Sequence, residues 1–192
     1  FLLSVSENSQ DVTSKQTADS VNPKNPAQLK VGHGTVGEKR KIPGVKNVIC
    51  IASGKGGVGK STFTANLAVT LAKKGKKVGI IDADIYGPSI AHLMNLDKKP
   101  AQENGLILPL INYGVKCISI ASLIDSDKAG VWRGPMVTKI LYQLIRSVNW
   151  KFDGKKVDVM IIDTPPGTGD VYLSLAEKFP LNAVIAVSTP QT

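Results

Sequence analysis

The chain has 192 residues, enough for one domain of ordinary size with some length to spare, and for a real buried core. Its 42% hydrophobic content and near-zero mean hydropathy are those of a soluble globular protein, and no apolar run approaches the roughly 18 residues that span a bilayer. Twenty-four Lys and Arg against 15 Asp and Glu give a net charge of +9, but the lysines are dispersed and no base-reading or stacking motif accompanies them, so nucleic acid is not expected as a partner.

Residues 1–43 are rich in Ser, Thr, Asn, Lys and Gln, carry Pro23, Pro26 and Pro43, and show no sustained period, which predicts a mostly disordered polar segment. The chain opens on Phe1 rather than Met, so a start lying upstream is expected. Glu7, Asp11 and Asp19, with no arginine before Arg40, mean that these residues do not themselves make a mitochondrial presequence. From Gly44 onward strand and helix patterns alternate, which predicts one α/β domain over 44–192.

Val48 to Ser53 is a short apolar run with β-branched residues, as a buried parallel strand should be. Gly54-Lys55-Gly56-Gly57-Val58-Gly59-Lys60-Ser61-Thr62 comes next and satisfies the phosphate-loop pattern G-x-x-x-x-G-K-[ST]. Phe63, Leu67 and Leu71, with Ala68 and Ala72 beside them, then mark the apolar stripe of a helix. Glycines let the backbone aim its N–H groups at a polyphosphate, Lys60 adds a charged donor, and the helix start offers its positive end. The Ser61 hydroxyl is suited to hold Mg²⁺. Lys55 is an additional lysine that cannot easily fold back onto the γ-phosphate of its own loop. It could stabilise transition-state charge on a neighbour's nucleotide across a two-fold interface, or it is a solvated lysine.

Lys77 to Ile81 reads as a second strand, followed by Asp82-Ala83-Asp84-Ile85-Tyr86-Gly87-Pro88-Ser89. In extended geometry Asp82 and Asp84 share a side, so one carboxylate could orient the attacking water, with Asp84 favoured, while Asp82 supports the metal; turn-forming or capping aspartates are the alternative. Val115 to Ala121 is a third strand, and Val137, Ile140, Leu141, Leu144 and Val148 mark a helix that starts near Pro135. A fourth strand, Val157 to Ile162, ends in Asp163, which suits a carboxylate that holds Mg²⁺ through water, or an Asp that caps the next helix. In the following loop, Thr164 to Asp170, two prolines stiffen the backbone, while Gly167 could bring an N–H to the γ-phosphate; a merely stiff connection is the alternative. Tyr172 to Lys178 reads as a short helix and Ala183 to Val187 as a fifth strand. All three polar clusters follow strands directly, which predicts one site at the carboxyl ends of a parallel sheet. Cys50 and Cys117 sit in apolar strand-like runs and read as small buried hydrophobes in a reducing compartment.

Taken together, Gly54–Thr62 with its additional lysine, Asp82–Ser89, Trp132-Arg133-Gly134-Pro135-Met136 and Asp163–Asp170 resemble the Mrp/Nbp-type deviant Walker A ATPases. Lys41–Lys46 and Asn112–Cys117 are similar as well, so the resemblance covers roughly residues 40–191 and is strongest to the mitochondrial branch. It implies a three-layer P-loop NTPase with a mostly parallel twisted sheet, its five strands in the order 3-2-4-1-5 and flanked by further strands. It implies a homodimer closed around ATP, with Lys55 as the signature lysine and Lys60 as the phosphate-loop lysine. The implied activity is ATP-dependent delivery of a [4Fe–4S] cluster to apoproteins, for the mitochondrial branch the subunits of respiratory complex I in the matrix.

The family holds its cluster through a C-x-x-C pair in a C-terminal portion, and no C-x-x-C occurs here. The chain stops at Thr192, where the family continues with a helix and more sheet, so a fragment lacking the last strands is expected. Two other readings compete. One is a cytoplasmic positioning ATPase of the MinD/ParA kind, which works on membrane or DNA; Pro165–Asp170 favours the cluster carriers. The other is a truncated, non-enzymatic product. The resemblance gives Trp132 and Arg133 no chemistry beyond membership of a motif.

Overall fold

The computed structural model describes residues 2–7, 39–85, 87–123, 141–143, 145–167 and 170–190. Among the described residues there are nine strands: β1 (Leu2–Glu7), β2 (Val45–Ala52), β3 (Val78–Asp82), β4 (Ala101–Glu103), β5 (Leu106–Leu108), β6 (Leu110–Asn112), β7 (Val115–Ser119), β8 (Val157–Asp163) and β9 (Ala183–Ser188). Helix α1 spans Lys60–Lys73, α2 Ile90–Leu93 and α3 Asp170–Lys178, with a 3-10 turn over Ile120–Leu123. Residues 141–143 and 145–146 are also helical.

Seven strands form one sheet in the order β1-β9-β2-β8-β3-β7-β6. The inner five are parallel, and β1 and β6 run antiparallel at the two edges. The five strands foreseen from sequence take the expected order, 3-2-4-1-5, within it. Side-chain alternation along each strand feeds two separate cores. Cys50, Ile81, Ile118, Met160 and Ile162 join Leu141, Ile145, Trp150, Leu175 and Phe179 on one face. Ile51, Ile80, Cys117 and Ile161 join Ala65, Ala68, Ile90 and Met94 on the other. The protein is therefore layered helix, sheet, helix, with inner strands apolar on both sides.

Helix α1 approaches the sheet through small residues. Thr64, Ala65 and Ala68 are buried, whereas Phe63, Leu67 and Leu71, the expected stripe, are half-buried along its flank. Small side chains bring the helix axis close to the strands and leave the large apolar ones to seal its edges.

Several expectations change. Leu2–Glu7 pairs with β9 and Ile42 is buried, whereas residues 8–38, the greater part of the expected polar segment, lie outside the described residues. Strand β2 starts at Val45 rather than Val48, and β7 ends at Ser119 because the chain tightens into the 3-10 turn. Val148 bridges Ile107 instead of extending a helix. Trp132, Arg133, Pro135, Val137, Ile140 and Leu144 lie outside the described residues. The short elements α2, β4, β5 and β6 were not foreseen.

Candidate nucleotide site

Strand β2 hands over to α1 through the glycine loop, at the carboxyl edge of the sheet where β3 and β8 also end. Register aligns these ends, with Asp163 beside Ile51 on one side and Asp82 on the other. Gly57 and Gly59 lie at φ 77° and 89°, a region that side chains disfavour. Gly59 is the N-cap of α1, which has no side-chain cap and no acidic residue in its first turn. The donors and partial positive charge of that helix start are therefore turned on the loop rather than spent on a capping side chain. A cleft of about 540 Å³ opens there, with Gly56, Gly57, Gly59, Lys60, Ser61 and Thr62 on one wall. Pro88, Ser89, His92 and Leu93 line it as well, together with Ser53 and Pro166.

Asp163 is the polar centre beneath the loop. It is fully buried and accepts hydrogen bonds from Ser61 Oγ at 2.6 Å and Thr64 Oγ1 at 2.8 Å, and Lys60 Nζ pairs with it at 2.9 Å. Lys60 is itself only 6% exposed, so this ion pair is buried at both ends. Thr64 was missed in the sequence reading. Its signal was a hydroxyl three residues after Ser61, on the helix face that turns to the sheet.

Asp82 and Asp84 sit differently from the expectation. Asp82 is fully buried and accepts the backbone N–H of Asp84 at 3.1 Å and of Ile90 at 3.3 Å, holding the start of α2. Burial, reinforced by the neighbouring Asp163, pushes its carboxyl up to about 7. Asp84 accepts the Gly87 N–H at 3.0 Å, and Gly87 brings its bare α-carbon against that carboxylate. Both aspartates thus fasten turns, the capping alternative, because α2 folds back and supplies the amides.

Gly167 also departs from expectation. Its N–H is committed to Ser53 O at 2.8 Å, its φ is 98°, and so that donor is not aimed at a phosphate. Thr168 and Gly169 lie outside the described residues. Gly54, Lys55 and Val58 are not among the residues that line the Lys60 cleft. They line a second, polar groove of about 790 Å³ with Val187, Ser188, Thr189 and Pro190, and Lys55 is exposed there.

The residues fit a nucleoside triphosphate with Mg²⁺. A Cβ built on Gly54 or Gly57 would meet no protein atom within 4 Å, so bare backbone faces open space that a side chain would fill. Ser61 Oγ and Asp163 present hard oxygen donors within 2.6 Å of each other, the donor type that Mg²⁺ takes. Asp82 is the poorer ligand, since two amides already occupy it. An iron–sulfur cluster finds no such fit at the cysteines. Cys50 and Cys117 point to opposite faces of the sheet, and burial pushes each thiol up to about 12, far from the thiolate a cluster needs. Among the described residues no group of three or more His, Cys, Asp and Glu is gathered to hold a metal, and no helix is long and apolar enough to cross a membrane.

Known proteins resemble this chain closely. The mouse iron-sulfur cluster transfer protein NUBPL is 46% identical over 157 residues, covering 80% of this chain and 48% of the mouse protein. An Arabidopsis thaliana mitochondrial iron-sulfur protein required for NADH dehydrogenase is 45% identical over 153 residues, 79% of this chain and 48% of the relative. The Escherichia coli iron-sulfur cluster carrier protein is 45% identical over 152 residues, 78% of this chain and 40% of the relative. The chain therefore spans less than half the length of these relatives. Among solved structures, an Archaeoglobus fulgidus nucleotide-binding protein in complex with ADP matches with TM-score 0.59 and 39% identity, covering 71% of this chain and 52% of that one. The septum site-determining protein MinD from Pyrococcus horikoshii, complexed with Mg-ADP, matches with TM-score 0.52 and 25% identity, over 76% and 58%. A family model described as ParA, NUBPL iron-transfer P-loop NTPase, matches residues 44–192, and the chain belongs to that family.

Proposed function

We propose that this chain is the nucleotide-binding part of an ATP-dependent iron–sulfur cluster carrier. The observation that carries the reading is the joint at Asp163, where Lys60, Ser61 and Thr64 converge directly under the glycine loop. Lys60 and the amides of Gly56–Ser61 would bind the phosphates, and Ser61 with Asp163 would hold Mg²⁺, which neutralises phosphate charge when bound. Lys55, on the other side of the loop, is suited to act on the nucleotide of a second copy, as the homodimer reading requires. The water-orienting role of Asp84 requires its carboxylate to leave the Gly87 N–H.

The [4Fe–4S] cluster is cargo in this reading, and Cys50 and Cys117 are not its ligands. The Arabidopsis relative, named as mitochondrial and required for NADH dehydrogenase, supports complex I subunits as clients and a mitochondrial location, for which we propose the matrix; the bacterial relatives keep a cytoplasmic location open. The test is phosphate release by the purified chain with Mg·ATP. Lys55→Ala is expected to keep ATP affinity while lowering turnover, and Lys60→Ala to lose affinity. Equal loss of affinity in both variants would contradict the division of roles.

A further inference from the structure

We infer that the Ser53 hydroxyl donates a hydrogen bond to the terminal phosphate of a bound nucleoside triphosphate, and so ties the 164–167 loop to the presence of that phosphate. The inference rests on the nucleotide-binding reading above and extends it to a residue outside the phosphate-loop motif.

Ser53 is the last residue before the glycine loop and is 4% exposed. Among the described residues, its Oγ and that of Ser119 are buried without a hydrogen-bond partner. An unpaired buried hydroxyl is destabilising, a cost that alanine would remove. The two serines are not equivalent. Ser53 lines the cleft with Gly56, Lys60 and Pro166, whereas Ser119 closes β7 outside that lining.

Ser53 is also the seam between two loops. Its carbonyl accepts the Gly167 N–H at 2.8 Å, and Thr164 donates from both N and Oγ1 to Ile51 O at 3.2 and 2.8 Å. The 164–167 segment thus hangs from the end of β2 at two points two residues apart. Pro166 closes over the glycine loop, where a Cβ on Gly56 would come within 3.8 Å of its Cγ. Lys60 and Ser61 serve the helix end of the loop. Ser53 stands at the strand end, beside the segment that follows Asp163, with a donor still to be used. A phosphate oxygen is an acceptor that such a donor can satisfy without rearranging the backbone around it.

The experiment is calorimetric titration of the 192-residue chain with Mg·ADP and with the Mg complex of the non-hydrolysable analogue AMP-PNP. Wild type, Ser53→Ala and Ser119→Ala are compared, with thermal unfolding of each in the absence of nucleotide. Ser53→Ala is expected to weaken AMP-PNP binding about tenfold or more and to change ADP binding less than about twofold. Its unfolding temperature without nucleotide should be equal to or above that of wild type. Ser119→Ala should leave both affinities unchanged. Unaltered affinities in Ser53→Ala, or equal loss for both ligands, would overturn the inference. So would a lowered unfolding temperature without nucleotide, which would mark the hydroxyl as a structural donor. A folded wild-type chain that binds neither nucleotide would instead overturn the nucleotide reading on which the inference stands.

Discussion

Asp163 draws an ammonium and two hydroxyls around one carboxylate, all within 2.9 Å. Burying that charge is tolerable because both oxygens have donors, Oδ2 from Lys60 and Ser61 and Oδ1 from Thr64. Truncating Lys60 leaves the carboxylate without its countercharge, which costs about 3–5 kcal/mol in a buried pair. Lys60→Ala should accordingly show a lowered urea midpoint by circular dichroism, and Asp163→Asn in the same chain should recover much of the loss. A double variant no more stable than the single one would contradict the pairing as the source of the cost. The affinity of Lys60→Ala must therefore be measured below its own unfolding transition. His92 lines the cleft beside Ser89, the last residue of the Asp82–Ser89 motif, but His92 itself lies beyond that motif and no pattern in the sequence singled it out.

At the level of elements, α1 docks through Ala68, which is fully buried against the sheet. Ala68→Leu should overpack that contact and cost about 1–3 kcal/mol in chemical denaturation, whereas a cost near zero would mean that α1 has room to lift. At the opposite end of the strands, Asp158 of β8 joins three segments. It accepts from Lys46 Nζ of β2 at 2.6 Å and from the Lys77 N–H before β3 at 2.9 Å. The Lys46 bond, helped by Lys77, lowers the Asp158 carboxyl below its ordinary 3.8. A depressed acid adds stability above its unfolded value and loses it as pH falls through its folded value. The stability gap between wild type and Asp158→Asn should be full at pH 6 and close below pH 3.8; a gap constant with pH would refute the assignment. Which elements were legible follows from their physics. Val159–Ile162 closed by Asp163 announces a buried strand, because four apolar residues can be satisfied only between two layers. The hairpin of β4 and β5 has three-residue strands too short for any period. Its signal was Asn104-Gly105, both at positive φ as a two-residue turn demands. Asp82 was readable as a site neighbour but not in its orientation. Of the two amides its carboxylate accepts, one comes from α2, a four-residue helix without periodicity.

For the whole molecule, the sheet order and the convergence of three strand ends follow from alternating apolar runs and the phosphate loop, within the residues 44–192 that the family model matches. The edge pairing of β1 was not legible, since a strand whose partner lies more than 170 residues away leaves little local signal. The central claim is that this sheet edge binds a nucleoside triphosphate. A ligand bound at 100 times its dissociation constant would stabilise the fold by about 2.7 kcal/mol, so binding and unfolding report on the same event. The most direct measurement is isothermal titration of the folded 192-residue chain with Mg·ATP, alongside folded Lys60→Ala. Saturable binding by wild type, weakened about 10- to 150-fold by the loss of the Lys60 ammonium, is the expected result. Absence of binding by folded wild type, or equal affinity in the two proteins, would contradict it.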